Sequence, residues 1–147
     1  MLTLFGILIG YLAADLFVGL YHLFTDRGWN VPQQVKAFRE HHDGTVVFDL
    51  KPVYFALPVV AIGLFLKFPA VVSFAACCGV SELTHYAAHY PNKSRLARLL
   101  QRAGLILNPA AHASHHDGVF GHSFCVFSGW TNAAVDLIAR FVPERGP

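Results

Sequence analysis

Residues 2–25 read LTLFGILIGYLAADLFVGLYHLFT, an apolar run broken once by Asp15 and again near its end by His22. A bilayer-crossing helix needs about 20 such residues, so the stretch predicts a transmembrane helix. No Lys or Arg precedes the run, Asp15 interrupts it and no small-residue cleavage pattern follows, so a retained helix is expected rather than a secretion signal. Asp15 and His22 are seven residues apart, and Asp26 lies four beyond His22, so the three share a helix face. An ionisable residue inside a membrane is a functional candidate by default.

Composition agrees. Hydrophobic residues make up 54% of the 147 and charged residues 14%, against about 25% charged in a soluble domain. The length suits one domain, residues 1–147. A net charge of +2 is too small to argue for nucleic acid. Cys77 and Cys78 are adjacent in an apolar run and Cys125 stands alone, which reads as small buried hydrophobes rather than a disulfide framework.

Further along, 27–51 is a polar connection with a short helix expected around Gln33–His42 and a turn at Asp43-Gly44. Apolar runs at 52–66 and 70–90, separated by Lys67-Phe68-Pro69, predict a helical hairpin that Pro91-Asn92 ends. Residues 94–107 are amphipathic, with Leu96, Leu99, Leu100 and Leu107 opposing Arg95, Arg98 and Arg102, as in a helix lying in a membrane interface. Asn108-Pro109 starts the next helix, with Asn as cap. A loop at Asp117-Gly118 and Gly121 follows, and 123–142, interrupted by Asn132, Asp136 and Arg140, is expected to be an interfacial or docked helix. Trp29 and Trp130 read as interface anchors. The expected architecture is all-α and integral to a membrane, with about three inserted helices, one span plus the hairpin, and interfacial helices on the cytoplasmic side. That orientation follows from Lys and Arg concentrated in 27–51 and 93–102.

The nine histidines form a pattern: His22, His41-His42, His85-x3-His89, His112-x2-His115-His116 and His122. The topology derived from Lys and Arg brings them all to one leaflet. His85 and His89 project from one helix face, and His112 pairs similarly with His115 and His116. His41 and His42 diverge by about 100° on a helix, which suits two ions better than one. So many imidazoles exceed what one ion accepts, and two metals are the natural reading. Glu40, Asp43, Glu82 and Asp117 stand beside these histidines, and Asp15 and Asp26 near His22, as candidates to accept ring N–H bonds and fix tautomers. Imidazole alone does not choose among Zn, Cu, Fe and Ni. A transporter would place ligands near mid-bilayer, where Asp15 alone is deep, and a haem protein would need axial pairs on facing helices.

The chain resembles the lipid desaturase family, which includes plasmanylethanolamine desaturases and a plant phosphatidylglycerol acyl desaturase. The resemblance is carried by Ala14-Asp15-Leu-Phe-Val-Gly19-Leu-Tyr-His22 with Asp26, Phe38-Arg39-Glu40-His41-His42, His85-Tyr-Ala-Ala-His89, His112-Ala-Ser-His115-His116, Cys125 and Gly129-Trp130-Thr-Asn132. Leu23 stands where the family often has Trp, and Phe48 where some members have a further His. The resemblance implies a membrane-bound di-iron enzyme that uses O2 and reducing equivalents to remove two hydrogens from a glycerolipid chain. It forms either the vinyl ether of plasmalogens from a 1-O-alkyl phospholipid or a double bond in a phospholipid acyl chain; hydroxylation is the outcome nearest to these. Carried over by position, the iron ligands are His22, His41, His42, His85, His89, His112, His115 and His116, with His122, Asp15, Asp26, Glu82 and Asp117 as further ligand or supporting candidates. The implied electron donor is cytochrome b5 or a ferredoxin-type protein. Lys93, Arg95, Arg98 and Arg102 are placed to meet phosphate head groups.

Overall fold

The computed structural model describes residues 2–44, 50–117 and 121–145, and these are helical with no strand among them. The helices are α1 Leu2–Asp26, α2 Pro32–His42, α3 Lys51–Phe65, α4 Pro69–His89, α5 Arg95–Arg102, α6 Pro109–His116 and α7 Asn132–Ala139. Phe48 and Gly118 lie outside the described residues.

Within α1, Thr3–Asp26 is long and apolar enough to cross a membrane. Its residues Leu4, Phe5, Leu8 and Ile9 are exposed, as are Tyr54, Phe55, Ile62 and Phe65 on α3. So broad an apolar surface marks contact with lipid or a partner rather than water. At 15 residues α3 is about 22 Å long, short of the ~30 Å hydrocarbon core. It turns into α4 at Lys67, whose φ of 57° lets the chain reverse before Pro69 opens the next helix.

Helix α4 packs against both α1 and α3. The approach to α1 depends on small residues. A Cβ at Gly10 would sit 2.8 Å from Phe74 N and from Ser73 Cβ, so only glycine admits α4 this closely. Below it, Asp15 is fully buried. One of its oxygens accepts from the amides of Ser128 (2.7 Å) and Gly129 (3.0 Å), the other from the amide and hydroxyl of Thr131 (both 2.8 Å).

That anchor belongs to the main departure from expectation. The stretch 123–142 is helical only over α7, Asn132–Ala139. Phe124, Cys125, Val126 and Phe127 run through the centre as non-helical chain, buried between α1, α4 and α7. The residues that read as interruptions supply the reason. Asn132 Oδ1 accepts from Cys125 N, Asp136 Oδ1 from Ser123 N, and Val126 O takes the Thr84 hydroxyl, so side chains take up part of the segment's polar backbone in place of helix bonds.

The interfacial segment is also shorter than 94–107. Its helix α5 ends at Arg102, and Leu107 is fully buried, its amide donating to Phe127 O. Leu96 and Leu99 face outward while Gln101 is buried and donates to Ala87 O. The expected cap of α6 is present: Asn108 Oδ1 accepts from Ala110 N at 2.8 Å.

Candidate metal centre

Four helix ends meet at one end of the molecule, and each delivers histidines. Spacing of i, i+4 puts His22 and Asp26 on one face of α1, His85 and His89 on one face of α4, and His112 and His116 on one face of α6. From α2 come His41 and His42.

The ligand atoms sort into two groups. His41, His85, His89, His112 and His116 form one, and His22, Asp26, His42 and His115 the other; within each group the atoms lie within 4.8 Å of one another. The adjacent pairs split, one residue to each group. The rings of His41 and His42 stand 5.7 Å apart with planes 65° from parallel, and those of His115 and His116 stand 5.8 Å apart at 84°. The two groups abut, with His42 and His116 only 4.6 Å apart by ring centroid.

The spacings suit bound ions. His41 Nε2 lies 3.0 Å from His85 Nε2 and 3.2 Å from His89 Nε2, and His89 Nε2 lies 2.8 Å from His112 Nε2. Donors about 2.1 Å from one ion stand roughly 3.0 Å apart along an octahedral edge and ~3.4 Å along a tetrahedral one. A neutral imidazole has a single N–H, so hydrogen bonds alone cannot satisfy so many converging nitrogens. Both ring nitrogens of His22, Asp26 Oδ2 and His116 Nε2 are buried without a hydrogen bond. Buried groups of this kind suit an ion or an ordered water as partner.

Electrostatics points the same way. Burial, and then the proximity of His89, pushes His41 down to about 3, and burial followed by His42 brings His116 to about 3. Burial and then His85 hold His112 well below the ordinary imidazole range. These rings are neutral at pH 7, the form that binds metal.

The supporting candidates separate. Asp26 joins the second group, its Oδ1 2.9 Å from His42 Nε2 and its Oδ2 3.3 Å from both His22 Nε2 and His115 Nε2. Asp15 is not brought to the histidines; its oxygens hold the 128–131 turn. His122 is exposed, yet its backbone carbonyl accepts from His115 Nδ1 at 2.7 Å, a role no side-chain reading of the sequence finds. Neither Glu82, half-buried, nor Asp117, exposed, falls in either group; Asp117 lines a cleft of about 300 Å³ that opens onto His41, His89, His112 and His116. Glu40 pairs with Lys36 on the exposed side of α2.

Helices throughout the described residues, one of them long and apolar enough to cross a membrane, and two histidine-rich groups that could each hold a metal ion define the class: a histidine-rich helical protein compatible with metal binding. The family is specific: a lipid desaturase domain matches residues 11–143, and the chain belongs to the lipid desaturase family. It is 29% identical to the plasmanylethanolamine desaturase of Myxococcus xanthus over 95% of this chain and 58% of that protein. From Arabidopsis thaliana, chloroplastic fatty acid desaturase 4 is 29% identical over 86% of this chain and 46% of its own length, and fatty acid desaturase 4-like 1 is 30% identical over 86% and 50%. The chain therefore spans about half the length of the curated relatives it matches. No solved structure matches.

Proposed function

We propose that the chain is a membrane-bound, O2-dependent di-iron lipid desaturase, and that it forms the vinyl ether of plasmalogens from a 1-O-alkyl phospholipid. The observation that carries this reading is the division of the histidines into two abutting groups, each sized for one ion. Iron rather than zinc is assigned because the family's reaction is an oxidation. His41, His85, His89, His112 and His116 would hold one ion, and His22, His42 and His115 contribute to the other.

Bound there, the irons supply the oxidising power that removes two hydrogens from adjacent carbons. The balance requires a donor: one O2, two electrons, two protons and the two substrate hydrogens give two waters and one double bond. A cytochrome b5 or ferredoxin-type protein suits that role. The chain's own residues do the rest. Phe124 and the neutral rings keep water from the inner side of the centre, and His122 O fixes the tautomer of His115. The cleft beside His41 and His89 gives the lipid chain a route to the five-histidine group. With α1 spanning, the α3–α4 hairpin inserted and α5 in the interface, Arg95, Arg98 and Arg102 meet lipid phosphates, with the centre on the cytoplasmic side.

A second reading, desaturation of a phospholipid acyl chain, is supported by the similarity to the Arabidopsis fatty acid desaturases. The test is lipid mass spectrometry on cells that lack their own desaturase, express this chain and are fed 1-O-alkylglycerol, with His89→Ala as control. Acid-labile vinyl ethers absent from the control support the proposal. A new acyl double bond moves the protein to the second reading, and a hydroxylated chain makes it a hydroxylase. Lipids identical to the control overturn the enzyme reading.

A further inference from the structure

We infer that Asp26 is itself a metal ligand, so that the two metal positions are chemically unequal: one held by imidazoles alone, the other by three imidazoles and a carboxylate. The inference rests on the two-metal reading above and assigns a residue within it.

The ordinary role for Asp26 would be to accept hydrogen bonds and orient the histidines. The geometry argues against it. His115 Nδ1 lies 2.7 Å from the backbone carbonyl of His122, which can only accept, so the ring proton sits on Nδ1. The Nε2 of a neutral His115 then presents a lone pair to Asp26 Oδ2 at 3.3 Å. Two acceptors facing each other repel unless a cation lies between them. His22 Nε2 is also 3.3 Å from that oxygen, and His42 Nε2 is 2.9 Å from the other. Three imidazole nitrogens thus surround one carboxylate whose side chain is 4% exposed. Neutral His22 and His42 can each turn an Nε2–H toward the carboxylate, so the His115 contact is the one that hydrogen bonding leaves unresolved, and a dication held by all four groups resolves it. A buried carboxylate lacking a cation would also be costly.

The helix pattern makes the same assignment. His85 and His89 on α4, and His112 and His116 on α6, are i, i+4 pairs that ligate together. The pair on α1 is His22 and Asp26, so Asp26 occupies the place that a histidine fills on the other two helices. With neutral rings, the imidazole position keeps the full charge of its ion, while the carboxylate cancels one unit at the other.

The experiment is Mössbauer spectroscopy with iron quantification on protein purified from cells grown on 57Fe, comparing the parent with Asp26→Asn and Asp26→His. The parent is expected to hold two irons giving two quadrupole doublets of equal area. Asp26→Asn should keep one iron, with the imidazole-position doublet unchanged. Asp26→His, which completes a third histidine pair, should keep both while the second doublet moves. Asp26→Asn retaining two irons and both doublets overturns the inference and leaves the two-metal reading standing; so does a parent whose two irons give a single doublet, a result that needs no variant to fold. A parent without iron overturns the two-metal reading itself.

Discussion

Asp15 stands inside the apolar run of α1, where an acid invites a catalytic reading, yet its four contacts give it a structural task. Replacing it with Asn tests this. One oxygen remains to accept from Ser128 N and Gly129 N, but an NH2 group then faces the Thr131 amide, while the Thr131 hydroxyl can turn to accept. The losses are the carboxylate's charge in three hydrogen bonds and one stranded N–H. Bonds to charged groups contribute about 1.5–3 kcal/mol against ~1 for neutral ones, and a stranded buried donor costs about 1–3 kcal/mol. The net expectation is a destabilisation of about 3 kcal/mol, or roughly 6–12 °C in melting temperature for a chain of this size. Thermal unfolding followed by circular dichroism in detergent measures it, with bound iron counted on the folded fraction at low temperature. Asp15→Asn should melt lower while holding as much iron as the parent. A melting temperature within about 2 °C of the parent, or lost iron at unchanged stability, would refute the reasoning, and the second result would return Asp15 to the metal centre.

Other consequences concern the same helices. Gly10→Ala forces a Cβ against Phe74 N and Ser73 Cβ, and should cost about 1–3 kcal/mol in stability by separating α1 from α4, read as a lower melting temperature. His122→Ala should leave iron content and activity near the parent's, because the backbone carbonyl rather than the ring meets His115, whereas His116→Ala should lose iron. In metal-free protein, His41 and His116 titrate near 3 when folded and near 6.5 when unfolded. Between those values the unfolded chain binds protons that the folded chain does not, so stability is unaffected above pH 6.5 and falls as pH drops below it. Melting temperatures across pH 8 to 4 check the sign; a rise on acidification would contradict it.

Much of the centre was legible because helix periodicity is a strong constraint. The 100° step between neighbours separates His41 from His42 and His115 from His116, and the i, i+4 step pairs His85 with His89. His112 was less determined, since sequence pairs it with either His115 or His116, and only the arrival of α4 and α2 selects His116. Asp15 and Asp26 flank His22 on one face, but seven residues along a helix is about 10 Å, which puts Asp15 beyond reach of the ring, while four residues bring Asp26 beside it. The segment 123–131 was illegible for a different reason. An apolar run carries no sign of whether helix bonds or side chains satisfy its backbone, and Asn132 and Asp136 read as breaks in a helix when they are the groups that bond Cys125 and Ser123. The part played by His122 was hidden because every residue has a carbonyl.

The most direct test of the central claim uses an alkylglycerol deuterated along its chain, supplied to a Myxococcus xanthus strain that lacks its own plasmanylethanolamine desaturase and expresses this chain. The account predicts an ether lipid that has lost two deuteriums from adjacent carbons, formed only in the presence of O2 and absent with His89→Ala. An ether lipid that keeps every deuterium, in cells whose purified chain carries its iron, would contradict it.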